Sequence, residues 1–199
     1  MSLEFIPFYS FLLLVVVLIA KIIALRKKGI QPGSGNGEKN KAKYLLFPVF
    51  FLVFLIWLFE IIRPAFHLSF VLLPAFLSDF LVETKALPIT GAIFLLLGLI
   101  SFSITLNDFG TSLRFGLDKQ NQGLLVTTGI FSRSRNPFFL SLDFYFLGVA
   151  LILPSAFHVA FTLAAIVGTH FFILKEERFL TEKYQREYLE YTKKVRRYF

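Results

Sequence analysis

The chain has no cysteine, so it carries no disulfide framework, no thiolate metal site and no thiol nucleophile. Its three histidines, His67, His158 and His170, are too scattered in sequence to make a metal-ligand spacing. Charged residues are scarce at 17%, and the acidic ones scarcest, with 13 Asp and Glu against 21 Lys and Arg. A net charge of +8 suggests nucleic acid at first sight, but the basic residues cluster beside apolar segments and form no soluble basic face. Anionic lipid headgroups are the expected counter-charge, and nucleic acid is not an expected partner.

Apolar residues fill the space that charge leaves. Hydrophobic side chains make up 56% of the 199 residues and aromatics 18%, well above the usage of soluble domains. A bilayer core of roughly 30 Å needs about 20 helical residues to cross, and several stretches approach that length with almost no charge. The expected crossings are residues 5–25, 44–62, 88–106, 137–153 and 156–174, all helical because lipid offers no water to an open backbone. The first has its basic cluster behind it and no small-residue cleavage site, so it reads as a retained anchor. Residues 63–86 are apolar but interrupted by Arg63, Pro64, His67, Pro74, Asp79 and Glu83.

Loop charge settles how that segment is read. Arg26, Lys27, Lys28, Lys39, Lys41 and Lys43 in the first loop, Arg114, Lys119, Arg133 and Arg135 in the second, and the basic tail belong on one side, the cytoplasm. That arrangement makes 63–86 a re-entrant or interfacial element. It places the N-terminus outside and the C-terminus inside. The expected fold class is therefore all-α, a polytopic membrane bundle of about five transmembrane helices with a C-terminal amphipathic helix. Residues 1–106 supply supporting membrane helices and a route for substrate, and 107–199 hold the functional core. Gln31 to Gly37 reads as a flexible linker.

Two polar islands break the apolar pattern. The first runs from Leu125 to Pro137, with turn formers, charge and hydrogen-bonding groups between two apolar segments. The second begins at Lys175-Glu176-Glu177-Arg178. Pro154-Ser155 joins the last two crossings so tightly that they must form a helical hairpin, which brings both islands to one mouth. In the tail, Leu180, Tyr184, Tyr188, Tyr191, Val195 and Tyr198 recur at steps of three and four, one stripe of an amphipathic helix. Glu176 shares that stripe and Glu177 is turned from it by about 100°. Arg178, Glu182, Lys183, Glu187 and Lys194 read as solvated charges, Arg133 as a headgroup anchor, and Trp57 and Glu60 as interface anchors. Asn136 before Pro137 reads as a helix cap. Asp143 and His170, inside crossings, read as members of interhelical hydrogen bonds.

The segments Gly110–Gly116, Leu125–Phe131, Arg135-Asn136-Pro137, and Glu176-Glu177 followed by Leu180, Tyr184, Tyr188, Tyr191 and Val195-Arg196 together resemble a family of integral-membrane methyltransferases. That family includes isoprenylcysteine carboxyl methyltransferases and phospholipid N-methyltransferases. The resemblance covers roughly the C-terminal half. It implies S-adenosylmethionine at the cytoplasmic mouth and a lipophilic small-molecule acceptor drawn from the bilayer. The implied cofactor contacts are Gly123, Leu124, Leu125, Val126, Phe131, Asn136, Pro137, Phe138, Phe139 and Glu176. Arg135 and Glu177 are the candidate catalytic residues, although in-line methyl displacement needs alignment and exclusion of water more than it needs a base. The chain departs from the family pattern at Phe131 and Phe139, where tyrosine is usual, and at Ser141 and Gln185, where glycine is common. Phe172 replaces the arginine with which the prenylcysteine branch meets its acceptor carboxylate. Two rivals stand beside this reading: a nicotinamide-dependent reductase of the sterol-reductase type, and a non-catalytic scaffold whose cleft Phe131 and Phe139 would fill.

Overall fold

A computed structural model describes residues 3–32, 41–113 and 123–199, with the side chains of 41–46 left aside. The residues at 33–37 of the expected linker, and Arg114, Phe115, Gly116 and Lys119, lie outside that description. The elements in chain order are α1 (Ile6–Lys27), α2 (Lys41–Ala65), a single turn α3 (Ala75–Ser78), α4 (Ala86–Asp108), a 3₁₀ turn (Gly129–Ser132), α5 (Pro137–Ile152) and α6 (Ala156–Lys194). α1, α2, α4 and α6 are long and apolar enough to cross a membrane. α5, at 16 residues, is a shorter apolar helix that rises only about 24 Å. All five expected crossings are thus helical, in a polytopic all-α bundle.

Residues 66–85 do not form a spanning helix. Apart from α3 they are irregular, and they dock on the turn between α5 and α6, where Leu81 N donates to Pro154 O at 2.8 Å. They therefore lie at the end of the bundle that holds the start of α1, the end of α2 and the α5–α6 turn. The helical hairpin expected from Pro154-Ser155 is present, and Ser155 Oγ caps α6 by accepting from His158 N.

α4 and α5 make the closest helix pair. Gly91 and Gly98 on α4 are seven residues apart, as are Ser141 and Gly148 on α5, and these small residues meet backbone to backbone. A Cβ on Gly98 would sit 2.9 Å from Ser141 O, and one on Gly148 would sit 2.7 Å from Leu95 N. Small residues of this kind let membrane helices approach until main chains touch. The aromatic core forms around Trp57, which is fully buried and ringed by Phe11, Phe54, Tyr145, Phe146 and Phe161. Tyr145 ties α5 to α1 by donating its hydroxyl hydrogen to Pro7 O at 2.9 Å. Trp57 and Glu60 are thus not interface anchors: both face inward, because α1, α5 and α6 close over that side of α2.

The C-terminal helix is not one straight rod. The α6 crossing runs to about residue 174, and the helix continues past it until Gln185, where φ is 45° and ψ is −118°. The chain reverses there. Residues 186–194 return as a second arm, and the extended tail brings Arg197 against Glu177, 20 positions earlier. The tyrosine stripe therefore folds around a space instead of lying along one surface.

Candidate active site

The reversal at Gln185 closes a cavity of about 370 Å³ at the mouth of the α5–α6 hairpin. That is within the size range of small-molecule sites. Gly123, Leu124, Leu125, Val126, Phe131, Asn136, Pro137, Phe138, Phe139 and Glu176 all line it, so the two polar islands share one chamber. Arg135 lines it as well. Glu177 does not: its carboxylate points behind the wall and is held there by three neighbours. Arg135 Nη2 donates to Oε1 at 2.9 Å and Asn136 Nδ2 to the same oxygen at 3.1 Å, while Arg197 Nη2 and Nε reach Oε2 at 2.8 and 3.0 Å. This is a clamp.

The clamp orders the entry to α5. Arg135 N donates to Arg196 O at 3.0 Å, and Asn136 Nδ2 also reaches Arg197 O at 3.3 Å. Asn136 occupies the position before the helix, with Pro137 as its first residue, but its side chain makes no cap hydrogen bond. Its Nδ2 donates instead to Glu177 and to the tail, which orients the side chain by a charged acceptor. Burial alone would raise the Glu177 pKa, but the Arg197 and Arg135 guanidinium groups and the Asn136 amide outweigh it and hold it low.

Glu176 has the opposite environment. It stands half-buried in the cavity wall, where loss of water and the neighbouring Glu177 charge push its pKa up to about 7. Arg135 Nε is buried and has no hydrogen-bond partner. The cavity thus offers a carboxylate short of donors and a guanidinium N–H short of an acceptor.

Local geometry explains how Phe131 reaches the wall. Gly129 has φ of 63°, and a Cβ there would lie 2.1 Å from Asp108 Oδ2. Only glycine fits, and Asp108 uses the space to accept from Ile130 N at 2.7 Å. The turn then presents the Phe131 ring edge-on to Phe109, with centroids 4.7 Å apart, and Tyr191 donates its hydroxyl hydrogen to Phe131 O. Tyr184 does the same for Gly123 O at 2.6 Å. Phe139 packs on Phe138 and on Phe172. These rings line the cavity and do not fill it.

Several contributors escaped the sequence reading. Asp108 is not singled out in the sequence, and only the Gly129 turn reveals its partner. Arg197 is invisible until the helix reverses. Lys183, expected in solvent, lies half-buried at the cavity lip with its ammonium 4.7 Å from the Tyr184 ring centroid. Arg133, Arg178, Glu182, Glu187 and Lys194 are exposed, as expected. Asp143 accepts from Thr169 Oγ1 at 3.0 Å across the hairpin, and His170 meets the Tyr198 hydroxyl.

The phospholipid methyltransferase family matches residues 86–187, from the start of α4 through the cavity wall on α6. The chain belongs to that family. Methyltransferases of this family use S-adenosylmethionine as methyl donor. Protein-S-isoprenylcysteine O-methyltransferase of Saccharomyces cerevisiae is 29% identical over 119 residues, 57% of this chain and 49% of the yeast protein. The chain therefore spans about half the length of the curated relative it matches. Membership of the phospholipid methyltransferase family agrees with a mouth-of-hairpin chamber built from the matched segments. The φ and ψ at the Gln185 reversal suit glycine, which lacks the Cβ that makes the conformation costly.

Proposed function

We propose that the protein transfers a methyl group from S-adenosylmethionine to a lipophilic acceptor, at the cytoplasmic face of the membrane. The observation that carries this is the convergence of all ten expected cofactor contacts on one cavity, which Arg135, with its Nε buried and without a hydrogen-bond partner, also lines. S-adenosylmethionine supplies an electrophilic methyl group on a positively charged sulfur. The faces of Phe131, Phe138 and Phe139 favour a cation next to them. Glu176 in its ionised form accepts hydrogen bonds from hydroxyl or ammonium groups, and Arg135 Nε donates to a carboxylate. The apolar wall excludes water, so the reacting atoms are aligned without a hydrolytic competitor.

Within this scheme Glu177 positions and does not react. Its clamp sets Arg135 and the first turn of α5, and through them the cofactor wall. The acceptor enters from the bilayer, and its reacting group is not a prenylcysteine carboxylate, because Phe172 and Phe139 stand together where that acid would need a cation. Binding of S-adenosylhomocysteine to the detergent-purified protein, measured by calorimetry, tests the proposal. The unmutated protein binds and Glu176→Ala binds at least tenfold more weakly. Absence of binding to the unmutated protein would end the claim, and stabilisation by NADPH instead would favour a reductase.

A further inference from the structure

Arg135, Glu176 and Lys183 are the charged side chains that line the methyl-donor cavity among the described residues. The neighbouring charges Glu182 and Arg186 are exposed, whereas Lys183 is half-buried at the cavity lip. Its ammonium lies 4.7 Å from the Tyr184 ring centroid and 5.7 Å from that of Phe179, and both rings line the same cavity. Two aromatic faces attract a cation and fix where it rests. Among the described residues no carboxylate forms an ion pair with it. Lys183 is thus a cation held at the cavity with no counter-charge from the protein.

Its place on α6 narrows the ligand group. Lys183 follows Glu176 by seven residues, close to two helical turns, so both stand on the cavity face of the helix before it reverses at Gln185. Their Cα atoms are about 10 Å apart along the axis. Side chains lean toward the start of a helix, and the contact with Phe179, four residues earlier, shows Lys183 doing so. The ammonium is thereby drawn back toward the level of Glu176. A carboxylate and an ammonium along one wall complement a ligand that carries an ammonium and a carboxylate on one carbon. S-adenosylmethionine has that pair at its amino-acid end. We propose that Lys183 binds the α-carboxylate of the methyl donor while Glu176 takes the α-ammonium, an assignment that rests on reading this cavity as the donor site. A carboxylate has two oxygens, so Arg135 Nε and Lys183 serve one each.

The test is calorimetry of the detergent-purified protein with two probes. One is S-adenosylhomocysteine; the other is 5′-methylthioadenosine, which keeps the nucleoside and the sulfur but has no amino-acid end. Lys183→Met keeps an unbranched apolar stem and removes the charge. It should bind S-adenosylhomocysteine at least tenfold more weakly and 5′-methylthioadenosine within about twofold of the unmutated protein. Lys183→Arg, which keeps the charge, should stay within about threefold for both. Unchanged S-adenosylhomocysteine binding in Lys183→Met, equal weakening of the two probes, or a loss in Lys183→Arg as large as in Lys183→Met would overturn the proposal. Absence of S-adenosylhomocysteine binding to the unmutated protein would end the donor-site reading and this assignment with it, whereas binding that ignores Lys183 would end the assignment alone.

Discussion

Replacing Gln185 by glycine should stabilise the protein. With φ at 45° and ψ at −118°, Gln185 sits where a Cβ crowds the main chain, and the reversal of α6 depends on this one residue. Strained backbone of this kind costs about 1–3 kcal/mol for a residue with a side chain. Glycine removes that strain but loses more freedom on folding, which takes back about 0.4–1 kcal/mol. The net gain is roughly 0.5–2 kcal/mol, or a rise of about 2–6 °C in the thermal midpoint at this chain length. Thermal unfolding of purified Gln185→Gly in detergent, followed by intrinsic fluorescence, measures it. Gln185→Val provides the opposite sign, because a β-branched side chain fits this region least. A lower midpoint for Gln185→Gly, or equal midpoints for the two variants, would refute the argument that the reversal is strained.

Glu177→Gln should cost roughly 3–5 kcal/mol, because it leaves the Arg135 and Arg197 guanidinium groups facing each other across a largely buried site; chemical denaturation reads it, and a loss below about 1 kcal/mol would show that the clamp does not hold the tail. Glu176, with its pKa raised to about 7, binds a proton in the folded state at pH values where the unfolded chain has released it. Its contribution to stability is therefore full below about pH 4.5 and declines as pH rises to 7. Melting curves across that range should show a slope that Glu176→Gln removes, and S-adenosylhomocysteine should bind more tightly above pH 7 than at pH 6. Gly98→Val should force α4 from α5, since a Cβ there meets Ser141 O at 2.9 Å, costing about 1–3 kcal/mol and lowering the yield of folded protein in membranes.

The sequence made the five helices legible because each is an apolar run of near-membrane length bounded by charge or proline. The hairpin of the last two crossings was legible too, since Pro154-Ser155 leaves no length for any other connection. The reversal in the tail was not. Leu180, Tyr184, Tyr188 and Tyr191 keep helical spacing straight through Gln185, so periodicity reports a continuous stripe and cannot register one residue with positive φ. The only sign was a glutamine where the resembled family commonly has glycine. Asn136 misled for another reason: cap preference is a local rule, and a buried carboxylate 41 positions away orients the side chain by accepting from its Nδ2. Trp57 and Glu60 misled because proximity to a helix end suggests an interface, whereas lateral packing decides which way a side chain faces.

The brevity of α5 bears on the membrane around it. A helix rising about 24 Å is some 6 Å short of an average hydrocarbon layer of about 30 Å, and a shortfall of that kind is met by local thinning. Lipids beside the hairpin would have their polar ends drawn toward its mouth, shortening the climb that a greasy acceptor makes to reach the chamber. Turnover in vesicles should then depend on acyl-chain length, fastest where the sheet is thin and slowing as it thickens.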